Sequence, residues 1–129
     1  MAGERILIVD DEENARTALA ELLREEGYRV DTAADGIKAL SKIEELAPDL
    51  LVTDLKMPGL GGLELLAKAR ERDPDCSVIV MTAFADVCVL AQATSLGAAD
   101  CLTKPVNVEE LMRVMERELE RKRWRGGRA

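Results

Sequence analysis

The sequence contains no histidine, and its only aromatic residues are Tyr28, Phe84 and Trp124. The first absence removes the usual partner of zinc sites and of catalytic cysteines. The second leaves an aliphatic core and no stacking platform for single-stranded nucleic acid. Cysteine is sparse and odd in number (Cys76, Cys88, Cys101), without metal-ligand spacing, so reduced thiols and an intracellular, cytoplasmic setting are expected. Long apolar runs are missing too; "ILIV" is too short for a membrane span or a signal peptide, and no membrane partner is expected. Positive charge is also scarce, with 18 Lys and Arg against 25 Asp and Glu, a net −7. Five of those cations fall in "RKRWRGGRA" (121–129), which leaves residues 1–120 with 13 cations against 25 acids, or −12. An acidic body argues against direct nucleic-acid binding by that body. The basic stretch reads as a solvated helix end or the start of a linker.

What remains is an ordinary globular balance, 47% hydrophobic and 33% charged over 129 residues, enough for one domain with one core. Short apolar runs alternate five times with amphipathic ones. The strand candidates are "RILIV" (5–9), "RVDTA" (29–33), "DLLVT" (49–53), "SVIVMT" (77–82) and "DCL" (100–102). Three are almost continuously apolar, as expected of strands covered on both faces. Ala15, Ala18, Leu19, Leu22 and Leu23 form one stripe on a helix from about residue 12 to 26, with Gly27 placed to cap it. Ile37, Leu40 and Ile43 mark a second helix; Leu63, Leu66 and Ala67 mark a third. A fourth runs from about 85 to 96 and stops at Gly97. The fifth carries Val108, Leu111, Met112, Met115 and Leu119, with Asn107 as N-cap and Glu110 three residues on. Such alternation, with short connections, predicts an α/β fold: parallel strands, right-handed crossovers and helices on both faces of the sheet.

In open sheets of this kind, ligands sit beyond the carboxyl ends of the strands. "ILIVDDEE" ends the first strand with Asp10 and Asp11, and "LLVTD" ends the third with Asp54. If those strands are neighbours, three carboxylates converge, and their repulsion disfavours full ionisation. A divalent cation resolves the conflict, and Mg²⁺ suits hard oxygen ligands best. A plainer reading stays open, in which Asp10, Asp11 and Glu12 only favour the positive end of the first helix. Two more strand ends add weight: Thr82 with the small Ala83, and Lys104 before Pro105. A hydroxyl and an ammonium are what an attached phosphoryl group needs as donor and counterion.

Taken in order, these motifs resemble the receiver domain of two-component response regulators: the acidic pair Asp10–Asp11, "D-x-x-M-P-G" from Asp54 to Gly59 with Gly62 beyond, Thr82–Ala83, and Lys104–Pro105. The likeness covers roughly residues 4–120, leaving 121–129 as a basic tail or linker start. "MPGLGGLELL" and "VMTAF" look most like receivers that precede σ54-activating modules. The resemblance implies a flavodoxin-like (βα)5 doubly wound parallel sheet with strand order 2-1-3-4-5. It implies that Asp54 accepts a phosphoryl group from a histidine kinase or phosphotransfer protein. Mg²⁺ would be held by Asp11, Asp54 and the main-chain carbonyl of Lys56, with Asp10 supporting it through water. Lys104 and the Thr82 hydroxyl would contact the phosphoryl oxygens, and Ala83 would leave space beside them. The domain would act as a self-catalysed acceptor with autodephosphorylation, not as a turnover enzyme. Its output face would be the fourth helix, fifth strand and fifth helix, serving a downstream output domain or protein, or a homodimer.

One position departs from the family. Receivers usually place Tyr or Phe three residues before the conserved Lys, where this chain has Cys101, so the usual Thr–aromatic coupling is not expected. Phe84 and Lys56 are expected to cover the site and slow hydrolysis of the acyl phosphate. Two rival readings stay open: a receiver-fold docking module acting without phosphate, and a small Mg²⁺-dependent phosphatase using Asp54, which would want an acid where Lys56 stands.

Overall fold

The computed structural model describes residues 4–83 and 87–127. Five strands alternate with five helices: β1 (Arg5–Val9), α1 (Glu13–Glu25), β2 (Arg29–Ala33), α2 (Gly36–Leu46), β3 (Leu50–Asp54), α3 (Gly62–Arg72), β4 (Ser77–Thr82), α4 (Val87–Ser95), β5 (Asp100–Thr103) and α5 (Val108–Gly127). The strands form one parallel sheet in the order β2-β1-β3-β4-β5, as the sequence predicts. β3 runs one residue later than its apolar run suggests, because Asp54 still pairs with Met81 in the ladder. Asp54 is therefore the last rung of a central strand, not the first residue of a loop.

Alternation along the central strands divides the core into two layers. Ile6, Ile8, Leu50, Val52, Ile79 and Met81 face α1 and α5. Leu7, Val9, Leu51, Val78 and Val80 face α2, α3 and α4. All five residues of β3 are buried, which is why that strand reads as continuously apolar. Truncating a fully buried leucine of either layer, such as Leu51 or Leu65, removes about 2–5 kcal/mol.

Helix ends follow their local chemistry. Beyond α1, Gly27 adopts φ +100°; its N–H donates to Arg24 O at 3.0 Å and the Tyr28 N–H to Leu23 O at 3.2 Å. This is a Schellman closure that a Cβ would strain. Asn107 Oδ1 accepts from the Glu110 N–H at 3.0 Å, the expected cap of α5.

Two apolar stripes differ from their sequence reading. On α1 the buried residues are Ala20 and Leu23, while Ala18 is exposed and Leu22 is 43% exposed. On α2, Ile37 is 69% exposed and Gly36, Ala39 and Ile43 are buried. Each helix is rolled on the sheet, so one edge of its apolar stripe faces outward. At the other end of the chain, α5 passes residue 120 without a break. Its basic run pairs with the body: Lys122 with Asp49 at 3.2 Å and Arg123 with Glu4 at 3.0 Å. None of the described helices is long and apolar enough to cross a membrane.

Candidate acidic phosphoacceptor site

β1 and β3 are adjacent, in register from Ile6–Leu50 to Val9–Thr53, so the residues that end them emerge side by side. Asp10 and Asp54 are 3% and 8% exposed, whereas Asp11 is exposed. One carboxylate oxygen from each of the three lies within 4.8 Å of the other two. All three donors are hard oxygens, which fits Mg²⁺.

The Lys104 side chain closes the group. Its Nζ donates to Asp54 Oδ2 at 2.7 Å and to Asp10 Oδ2 at 3.0 Å. Burial works against the Lys104 ammonium, but the hydrogen bonds to Asp54 and Asp10 and the charges of both acids outweigh it, so its pKa is raised. The main chain places this lysine: the Lys104 N–H donates to Thr82 O at 2.8 Å, tying the ends of β4 and β5 together. The Lys104–Pro105 peptide is cis.

The two buried acids are also held individually. Asp10 Oδ1 accepts from the Glu12 N–H at 3.0 Å, which turns the chain into α1. Asp54 Oδ1 accepts from the Lys56 N–H at 3.2 Å. The bond partners therefore sort the Asp54 carboxylate into one oxygen facing the loop and one facing Lys104. α3 starts close behind, since a Cβ on Gly62 would lie 2.3 Å from Asp54 O. Only glycine permits that approach.

These residues open onto a cleft of about 950 Å³ whose lining includes Asp10, Asp11, Asp54, Ala83 and Lys104. Its far wall is apolar, formed by Ala15, Ala18, Leu19 and Leu22 of α1 with Pro105 and Val106. Here is the use of the outward edge of α1: it borders the site. Thr82 stands at the same rim, 3% exposed. Cys101 is half-buried against the α2–α4 layer, and burial raises its thiol pKa, with Asp100 adding to the effect. Phe84, expected to cover the site, lies outside the described residues.

Arg16 escapes the sequence reading. Its Nη1 donates to Asp10 O at 2.8 Å and braces the β1–α1 turn. The signal was there in principle, because a cation one turn into the helix after an acidic pair can reach back to that turn.

Residues 6–116 match the family described as response regulator receiver domain. The chain belongs to this family. It is 35% identical over 119 residues to the sporulation initiation phosphotransferase F of Bacillus subtilis, covering 92% of this chain and 96% of that protein. It is 37% identical over 121 residues to the transcriptional regulatory protein ZraR of Klebsiella oxytoca, again over 92% of this chain but only 27% of that longer protein. Among solved structures, a CheY-like receiver domain protein from Methanospirillum hungatei superposes with a TM-score of 0.91 at 33% identity, over 95% of this chain and 98% of that one. Both the fold and the family read from the sequence are borne out.

Proposed function

We propose that this receiver domain accepts a phosphoryl group on Asp54 and that the modification resets its α4–β5–α5 face. The supporting observation is the union of three carboxylates with the Lys104 ammonium bonded to two of them at the carboxyl end of the sheet. Asp10, Asp11, Asp54 and the Lys56 carbonyl would hold Mg²⁺. When bound, that ion supplies charge neutralisation and a hold on a phosphoryl oxygen.

This chain's own residues do the rest. Asp54 is a covalent nucleophile: one carboxylate oxygen bonds to phosphorus as the phosphorus–nitrogen bond of a phosphohistidine breaks, and the electron pair of that bond stays on the imidazole. With no histidine here, the donor is another protein or a small acyl phosphate. The buried positions of Asp10 and Asp54 fix the approach line, and positioning is most of what phosphoryl transfer asks of a protein. Lys104, already on Asp54, pairs with the added phosphoryl charge, and the Thr82 hydroxyl bonds another of its oxygens. Hydrolysis by water then returns Asp54 to a carboxylate. Lys56 beside the acceptor slows that step.

The Lys104 N–H bond to Thr82 O makes the ends of β4 and β5 one unit, so a pull on either moves both. A differential interaction of a few kcal/mol is enough to shift such a population. α4 carries no charged side chain from Val87 to Ser95, and Val87 is 79% exposed. This suits an apolar output partner or a second copy of the chain. The apolar wall of α1 beside the cleft suits the donor protein's approach. None of the three cysteines is in a disulfide, in keeping with a cytoplasmic protein. The docking-module rival rests on Cys101 alone.

The test is direct. Acetyl phosphate or beryllofluoride, with Mg²⁺, should leave an adduct that peptide mass spectrometry maps to Asp54. A wild-type protein without adduct under both treatments overturns the reading.

A further inference from the structure

Gly36, the first residue of α2, is buried, and a Cβ there would lie 2.6 Å from the carbonyl oxygen of Leu60 and 2.9 Å from its Cβ and Cδ2. A carbonyl oxygen at that distance cannot yield as a flexible side-chain end would. Leu60 belongs to the 55–61 loop, which is pinned at its other end next to Asp54. There the Gly62 N–H donates to Leu55 O at 2.9 Å. Within the same loop, the Lys56 N–H reaches Asp54 Oδ1 at 3.2 Å. α2 is itself firmly seated: Asp35 Oδ1 accepts from the Lys38 N–H at 2.8 Å, and Ala39 and Ile43 are buried. The loop is thus held between the first turn of α2 and the first turn of α3.

We propose that Gly36 is a positioning residue for the Asp54 carboxylate. Because it lacks a Cβ, Leu60 can settle against α2, and that seating sets where the loop presents the Lys56 main chain to Asp54. The rotation of the carboxylate depends on this bond at one oxygen and on Lys104 at the other. Gly36 therefore acts through Leu60 and Lys56, and touches no reacting atom. The proposal rests on the phosphoacceptor reading and adds to it a residue on an element outside the acidic cluster.

Gly36→Ala tests it. The variant should still unfold cooperatively, at a lower temperature than the wild type, and shift the amide resonances of Lys56 and Asp54 in the metal-free protein. Mg²⁺ titrated by those resonances should bind more weakly. The saturating rate of phosphorylation by acetyl phosphate should fall about 10- to 100-fold, the scale of a small misplacement propagated to a reacting centre. Adding Leu60→Gly removes two of the three contacts and frees the carbonyl to turn, so the double variant should recover part of each loss. Wild-type resonances and Mg²⁺ affinity in Gly36→Ala would overturn the proposal. So would equal losses in the double variant. If Gly36→Ala does not fold, Leu60→Gly alone decides: it loosens the same loop and must shift the same resonances. Should the wild-type chain bind no Mg²⁺ and take no phosphoryl group, the phosphoacceptor reading falls. The metal-free Lys56 resonance would still judge the role of Gly36.

Discussion

At the carboxyl end of the sheet, three carboxylates face one ammonium; at the amino end, acids and cations are matched. There Asp49 accepts from the Arg5 N–H at 2.9 Å and pairs with Lys122. Glu4 pairs with Arg123. The buried Glu118 accepts from Ser77 Oγ at 3.3 Å, from Arg117 Nε at 3.2 Å and from Arg121 Nη1 at 3.3 Å. The same residue types serve opposite purposes at the two poles. Glu118, bonded at both oxygens, secures α5 to β4, while Glu4 pairs with Arg123 through one oxygen and buries the other, Oε1, without a hydrogen-bond partner. Among the described residues, the acids around Asp54 outnumber the ammonium bonded to them, and that surplus makes the pole chemically useful. Surplus charge near the start of α1 and balanced charge along the foot of α5 thus separate a working end from a structural one.

The contrast can be broken by substitution. The largest effect is at the working end: Asp54→Asn should abolish the adduct while leaving the unfolding transition cooperative, whereas Glu118→Gln should leave the adduct intact. Phosphopeptide mass spectrometry on both variants checks this, and phosphorylation of Asp54→Asn at another acid would blur the boundary. Next, Lys104→Ala should keep the fold and accept phosphate more slowly, yet fail to pass the change to any partner. Unchanged partner activation in that variant would remove the role given to the ammonium. Stability separates the poles further. Glu118→Ala should cost about 1–3 kcal/mol in denaturant unfolding, because it strands the buried Ser77 hydroxyl, whereas the exposed Arg117 and Arg121 guanidinium groups turn to water. Asp49→Asn should also destabilise. Asp11→Asn, by thinning an unbalanced cluster, should stabilise the metal-free protein by less than about 0.5 kcal/mol. The same sign for Asp11→Asn and Asp49→Asn would contradict the comparison.

Alkaline pH probes both poles at once. Burial pushes the Cys76 thiol, just before β4, up to about 12, with Asp73 adding to it. The Lys104 pKa is also raised, because its bonds and charges with Asp54 and Asp10 outweigh its burial. Both groups hold their protons more tightly when folded than when unfolded. Their contributions are therefore complete below the unfolded values, about 8.5 for a thiol and 10.4 for lysine. They fade as pH rises through the folded values. Melting temperature should decline above pH 9, and the slope should be shallower in Cys76→Ala.

The sheet was legible in the sequence because its inner strands are buried on both faces, so β1, β3 and β4 appear as unbroken apolar runs. Asp10, Asp11, Asp54, Thr82 and Lys104 were legible because strand ends in such a sheet share one rim. Helix orientation was harder. Periodicity shows that α1 and α2 have an apolar stripe, but not that neighbours cover only part of it, so it gives no sign that Leu22 and Ile37 lie exposed. The pairing of Arg123 with Glu4 spans most of the chain and leaves no local pattern, so the sequence gives no sign of it. Gly36 gave no hint either, because its significance lies in what a missing Cβ permits on a distant loop.

α5 extends for 20 residues, about 30 Å of unbroken helix. Its upper end, Val108, borders the cleft, and its lower turns are bolted to the opposite pole through Lys122 and Arg123. It works like a yardstick laid across the whole domain. A segment joined beyond Gly127 would set out from the pole farthest from Asp54, and a tilt too small to notice beside the acceptor would sweep through its widest arc there.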